Sequence, residues 1–313
     1  MKYVTFLDEA TIDPFPVVGV LVDDTRVLPL PAAYDASDEP DLEPDDLADL
    51  ATLLSRGAAG WHAVAELVSR LADRQDLLRD VAELRLLAPI PRPPRLRDYM
   101  TYQGHIGGSG MDVPDVFTKY PICYKGNHLA VQGTGTTVAW PSYARRLDYE
   151  SEIAIIIGAG GENLTLAQAR DAIGAITIFN DFSARDTQFE EMAMRMGPGK
   201  GKDFANAFGP CAVTLDEIPD EFGINMCTRI NDEVWSKGST DGRQFSFAEI
   251  VAWASRDEPV YPGEILGIGT HDGGCGYELR RWIQPGDLVQ IQADGIGTLE
   301  NRVGSRREEH HAN

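Results

Sequence analysis

The chain has 313 residues, enough for one large domain or for a small domain joined to a catalytic unit of about 220 residues. Hydrophobic residues make up 43% and charged residues 25%, values of a globular protein with a substantial core. Its 28 basic and 49 acidic residues give a net charge of -21, a field that repels nucleic acid and anionic membrane surfaces. An anionic substrate must therefore find local positive charge, from a metal ion or from a buried Lys or Arg.

The N-terminus MKYVTFLDEA carries acids and no long apolar run, so it does not read as a signal peptide. Apolar stretches such as Ile153 to Ile157 have strand length only, which predicts no membrane span and a cytoplasmic protein. The cysteines Cys123, Cys211, Cys227 and Cys275 form no CxxC pair. They read as small buried hydrophobes rather than as a zinc site or a disulfide framework.

In chain order, YVTF, VVGVLV and TRVLPL within residues 1–30 read as short strands broken by Pro14, Pro16 and Asp23-Asp24. Residues 36–50 are acidic and contain Pro40 and Pro44, the pattern of a solvated loop or charged helix start. From 46 to 86 apolar residues recur at three and four spacing, which predicts helix. Pro89, Pro91, Pro93 and Pro94 then impose an extended connector. The boundary falls there, between a small α+β unit at 1–90 and a catalytic unit at 91–313.

Beyond the connector the pattern is mainly β, with strands expected at 121–125, 153–157, 175–180, 210–214, 225–231, 264–268 and 287–292. Helices are expected at 165–173, 183–195 and 246–255. There is no internal repeat, and the polar tail SRREEHHAN, with His310 and His311, reads as frayed.

Four segments carry chemistry. In LDYESEIAIIIG, Glu150 and Glu152 stand two apart at a strand start and so face one side, where their charges repel unless a cation or protons lie between them. In IFNDFSARD, an apolar strand ends at Asp181, a candidate third oxygen ligand for Mg2+, Mn2+ or Ca2+, or else the cap of a helix opened by Ser183 and Ala184. In GPGKGKDFANAFGP, glycines flank Lys200 and Lys202, and such a lysine can reach a carboxylate or a developing enolate. Lys202 is followed by Asp203, so this is no phosphate-binding P-loop. In RDYMTYQGH, His105 lies in Gly-rich, loop-like sequence, and Asp98, seven residues earlier, adds a possible fourth carboxylate.

In order and spacing, DYESE, NDFSARD, the GK-D-F segment with its downstream GP, GTHDGGCGYEL and PGDLVQIQADGIGTLENRVG resemble the fumarylacetoacetate hydrolase family over about 90–303. The resemblance implies an α+β, mainly β fold: a catalytic domain of mixed β-roll or sandwich type, a small N-terminal α+β domain, and usually a homodimer. It implies a divalent cation, Mg2+ before Mn2+ or Ca2+, on Glu150, Glu152, Asp181 and Asp98. Lys202 then stabilises an enolate-like oxyanion, His105 activates water, and Glu278 orients His105. Arg185, Gln188 and Thr270 fall where family members contact substrate. One departure stands out: short acylpyruvase-like members place a Glu three residues after the His, and here that position is Gly108. Any His–Glu pair must use Glu278. The stretch GHIGGSGMDVPDVF reads as a mobile lid.

The implied activity is hydrolysis of a C–C bond in a 2,4-dioxo acid, such as an acylpyruvate or a fumarylacetoacetate-like compound. A cation binds the 2-oxo acid end, and His105 with Glu278 prepares the attacking water. The same groups also suit a decarboxylase, isomerase or hydratase of 2-oxo acids. A structural Ca2+ protein is the third reading. It leaves Lys202, Arg185 and His105 without a role beside the carboxylates.

Overall fold

A computed structural model of the chain describes residues 1–9, 14–37, 41–110 and 112–307. His310 and His311 lie outside the described residues.

The fold is organised by the strand Ser151–Ile157, in which every residue is buried. Its β-branched run suits a strand covered on both faces. Alternation sends Ile153, Ile155 and Ile157 into one core cluster and Ala154 and Ile156 into another. Its neighbour Ile173–Asp181 is likewise wholly buried, and pairs with it antiparallel from Ser151 opposite Asn180 to Ile157 opposite Ile173.

These strands lie inside a 12-stranded sheet. On one side follow Asn206–Val213, Lys2–Leu7, Val17–Leu21, Arg26–Pro29 and Arg79–Asp80, and on the other Ile265–Gly267, Leu96–Met100 and Ile122–Gly126. A five-stranded sheet, Glu233–Ser239, Asn225–Ile230, Leu288–Ala293, Gly297–Arg306 and Thr137–Trp140, packs on the face carrying Ile153 and Ile155, where Val289, Ile291 and Leu299 join the same cluster. Helices Leu50–Ser55 and Gly57–Leu71 cover the opposite face with Leu53, Leu54, Val64 and Leu67. The architecture is the expected α+β, mainly β sandwich.

The N-terminal strands extend the main sheet rather than building their own. Lys2–Leu7 pairs antiparallel with Asn206–Val213, with Tyr3 opposite Ala212, so the sheet crosses residue 90. The helical pattern predicted to 86 stops at Leu71. Polar residues Asp73 to Asp76 interrupt it, and Arg79–Asp80 pairs instead with Arg26 and Val27, followed by a 3-10 turn at Val81–Glu83 and the short strand Arg85–Leu86. TRVLPL ends as a strand at Pro29, because Pro31 sits in the first turn of a short helix, Leu30–Asp35. Ser183 and Ala184 do not open a helix. They pair as a strand with Leu147–Asp148, and the helix is Arg185–Ala193. Among the described residues no helix is long and apolar enough to cross a membrane.

Because Ile155 is fully buried at the sheet centre, Ile155→Ala should cost about 2–5 kcal/mol in urea unfolding. Val234→Ala at an exposed strand position should change stability by about 0.5 kcal/mol or less. Equal effects of the two would contradict this placement of the core.

Candidate active site

Three strands of the main sheet bring carboxylates together beside a cavity of about 240 Å3, which Asp98, Glu150, Glu152, Lys202, Arg185 and His105 line. Asp98 comes from Leu96–Met100, whose parallel register sets it opposite Gly267. A Cβ on Gly267 would lie 2.3 Å from Asp98 Oδ1, so only glycine leaves that carboxylate its place. Glu152 lies on Ser151–Ile157, with Glu150 just before that strand, and Asp181 ends Ile173–Asp181. Asp181 caps no helix: the next helix has Ala184 at its N-cap position, without a side-chain cap. That reading of Asp181 falls.

Ligand atoms of Asp98, Glu152 and Asp181 all lie within 4.8 Å of one another. Glu150, which the sequence places first among the candidates, is engaged otherwise. Its Oε1 accepts from Arg185 Nη2 at 2.7 Å and its Oε2 accepts from the Lys202 ammonium, which also donates to Asp181 Oδ2. Lys202 thus bridges two carboxylates. Glu152 is held by Gly269 N–H at 3.0 Å and Thr270 Oγ1 at 2.8 Å, so Thr270 orients a carboxylate. Gln188 Oε1 accepts from Arg185 Nη1 at 3.0 Å.

The electrostatics ask for a cation. Asp98, Asp148, Glu150, Glu152 and Asp181 are all buried, and two buried cations, Arg185 and Lys202, face them. Burial, and then the charge of Asp181, raises the Asp98 carboxyl well above its usual range; burial and Asp98 do the same to Glu152. Burial pushes Asp181 up to about 6 against the pull of Lys202. Burial acts the same way on Glu150, but Arg185 and Lys202 win and hold it below the carboxylate range. Oδ1 of Asp98 and Oδ1 of Asp181 are buried with no hydrogen-bond partner among the described residues. Oxygen-only donors, mutual repulsion and two unsatisfied oxygens fit a hard divalent cation held by Asp98, Glu152 and Asp181, with Glu150 beside them.

His105 is carried by the short helix Gln103–Gly108, not by a loop. Its Nδ1 lies 2.9 Å from Glu278 Oε2, on the turn Gly276–Leu279, and its Nε2 lies 3.7 Å from Glu150 Oε1. Opposite an ionised carboxylate, which only accepts, a neutral imidazole carries its proton on Nδ1 and presents a lone pair at Nε2. A Cβ on Gly108 would lie 2.5 Å from Glu278 Oε1. Glycine at 108 therefore leaves room for the Glu278 carboxylate beside His105.

Two site residues escaped the sequence reading. Asp148 accepts from Arg185 Nε at 2.8 Å and from the backbone N–H groups of Gly276 and Tyr277, tying Arg185 to the Glu278 turn. The two-residue alternation Asp148, Glu150, Glu152 could have revealed it. Tyr124 donates its hydroxyl to Asp181 Oδ2 at 2.7 Å, and only the pairing of Tyr124 with Asp98 brings it there.

A carboxylate cluster, a buried lysine and a His–Glu pair around one small cavity define a class, enzymes that act on small organic acids. The model of the C-terminal domain of fumarylacetoacetate (FAA) hydrolase matches residues 96–304, and the chain belongs to the fumarylacetoacetate hydrolase family. Oxaloacetate tautomerase YisK of Bacillus subtilis (strain 168) is 29% identical over 296 residues, 92% of this chain and 96% of that protein. A mitochondrial oxaloacetate tautomerase of Homo sapiens is 30% identical over 224 residues, 71% of this chain and 70% of that protein. The solved fumarylacetoacetate hydrolase of the psychrophile Exiguobacterium antarcticum superposes with a TM-score of 0.73 at 25% identity, covering 98% of this chain and 100% of that one.

If the cluster holds a cation, adding Mg2+ or Mn2+ to chelator-treated protein should raise its thermal midpoint. The gain is about 2.7 kcal/mol at a hundredfold excess over Kd. Glu152→Gln and Asp98→Asn should each remove most of that shift. A wild-type midpoint that ignores both metals, with no binding heat, rejects the site.

Proposed function

We propose that the chain is a cation-dependent tautomerase of 2-oxo acids, with oxaloacetate as its first candidate substrate, moving a proton between the enol and keto forms. The observation that carries this reading is the His105–Glu278 pair, 2.9 Å apart, placed beside Lys202 and the carboxylate cluster. Two relatives bear the name oxaloacetate tautomerase, one of them matching 92% of this chain.

A divalent cation on Asp98, Glu152 and Asp181 would polarise the 2-oxo carbonyl as a Lewis acid. The chain's own groups do the rest. Lys202, a buried cation among carboxylates at the cavity wall, offers a donor to the oxygen that turns from carbonyl to enolate. His105 Nε2 takes a proton from the carbon next to the carbonyl and can return it there, while Glu278 stabilises the imidazolium. The proton that His105 takes from carbon passes on to solvent and the enolate oxygen takes one from solvent, so keto and enol forms differ only in where one proton sits and nothing is consumed. Arg185, fixed by Asp148, Glu150 and Gln188, keeps Glu150 ionised and in place.

Hydrolysis of a 2,4-dioxo acid is the second reading, and a distinct feature favours it. An apolar cavity of about 260 Å3, walled by Ile106, Phe117 and Tyr120, adjoins the site and shares Met100 and Ile122 with it. That space suits an acyl chain beyond the dioxo unit. His105 would then deprotonate water instead of carbon.

Oxaloacetate ketonisation and acylpyruvate cleavage, each followed by ultraviolet absorbance with Mg2+, separate the two. Wild type should act on oxaloacetate, and His105→Asn should lose about 10^2–10^4-fold in kcat, with Glu278→Gln lowering it less. Cleavage without tautomerisation establishes the second reading over the first. Turnover of neither acid, or full rates in His105→Asn, rejects both.

A further inference from the structure

The donors around His105 differ in kind from those of the carboxylate cluster. His105, Cys275 and Glu278 offer one nitrogen, one sulfur and one oxygen, all within 4.8 Å of one another. Cys275 Sγ lies 3.3 Å from Glu278 Oε2, and His105 Nδ1 lies 2.9 Å from the same oxygen. Cys275 and Glu278 stand three apart across one helical turn, and the helix Gln103–Gly108 brings His105 to meet them. Cys275 is fully buried and His105 nearly so, which encloses the donors on most sides. His105 also lines the active-site cavity, which gives an ion a path inward.

We propose that His105, Cys275 and Glu278 form a second metal site, selective for a thiophilic divalent ion such as Zn2+, and that its occupation switches the enzyme off. A tetrahedral zinc sits about 2.0–2.3 Å from N, O and S donors, which requires donors roughly 3.3–3.8 Å apart. The triad meets this by opening its two hydrogen bonds slightly, with one tetrahedral position left for water or substrate. The thiol proton leaves to solvent as the Zn–S bond forms, and the imidazole binds as a neutral ligand. Hard ions prefer the oxygen-only cluster, and the thiolate selects the softer ion. The protein thus holds an activating and an inhibitory cation site side by side. With zinc bound, His105 loses both the Glu278 contact and its tautomer, so it cannot serve as a base. The binding half of the proposal stands apart from the proposed function; the inhibition half rests on it.

The test starts from the metal-free full chain titrated with Co2+, an optical stand-in for Zn2+. Wild type should develop a thiolate-to-cobalt charge-transfer absorption. Glu152→Gln should keep it, and Cys275→Ser should lose it. Since Cys275 is buried, His105→Asn is the second variant, and should weaken the cobalt affinity read from the same band. Absence of the band in wild type overturns the proposal. Its persistence in Cys275→Ser does so too, by assigning it to the half-buried Cys123 or Cys227. Turnover of oxaloacetate or an acylpyruvate in excess Mg2+ is then measured against Zn2+, each protein relative to its own zinc-free rate. The zinc needed for half-inhibition should rise at least about tenfold in Cys275→Ser. Equal sensitivity of the two proteins overturns the inhibitory role. If neither acid is turned over, the proposed function fails, and the cobalt band still decides the site.

Discussion

The structure is built around a repulsion. Asp98, Glu152 and Asp181 crowd ligand atoms within 4.8 Å of one another, all three largely withdrawn from solvent. At about 4 Å two like charges cost about 4 kcal/mol at an effective dielectric near 20. A flexible loop would relieve that cost by moving apart. Here each carboxylate sits on or at the end of a strand of the 12-stranded sheet that is paired on both sides, and the strands cannot separate without breaking that pairing. The sheet converts packing free energy into a fixed demand for positive charge, which protons, Lys202 or a cation can meet.

Glu150 shows how the site divides that demand. It lies two residues from Glu152, yet its carboxylate belongs to Arg185 and Lys202 rather than to the three-carboxylate cluster. Arg185 is itself fixed by Asp148, whose second role is to accept the backbone N–H groups at the start of the Glu278 turn. One buried chain of contacts therefore runs from the cation cluster through Lys202, Glu150, Arg185 and Asp148 to the turn that orients His105. Removing a member takes a partner from at least one buried charge, and an incompletely paired buried charge is costly.

Much of this was legible in the sequence because it is local. The isoleucine run, the Glu150–Glu152 alternation and the strand ending near Asp181 each follow from residues within one element, and the strands expected at 153–157 and 175–180 appear as Ser151–Ile157 and Ile173–Asp181. What depended on pairing was not legible. Nothing in PICYK says that Tyr124 lies opposite Asp98, and nothing in YVTF says that Lys2–Leu7 pairs with a strand some 200 residues away. The helix predicted through 86 failed for a similar reason: Arg79 and Asp80 gain more from the edge of the sheet than from another helical turn. The resemblance to the family placed His105 opposite Glu278, and the structure adds why Gly108 permits it.

The two activities considered for the site differ in one atom, the one that meets His105 Nε2. A carbon bearing an acidic proton gives tautomerisation, and a water aimed at a second carbonyl gives hydrolysis. Lys202 and the carboxylates serve both, since both pass through negative charge on the same oxygen. The choice therefore rests on what fills the space beyond the 2-oxo acid. A short dicarboxylic acid leaves the cavity by Ile106 and Phe117 empty and presents its methylene to the histidine, whereas an acyl chain seated there carries a second carbonyl to it. On either proposed reading that apolar wall sets the specificity, and the catalytic groups are common to both outcomes.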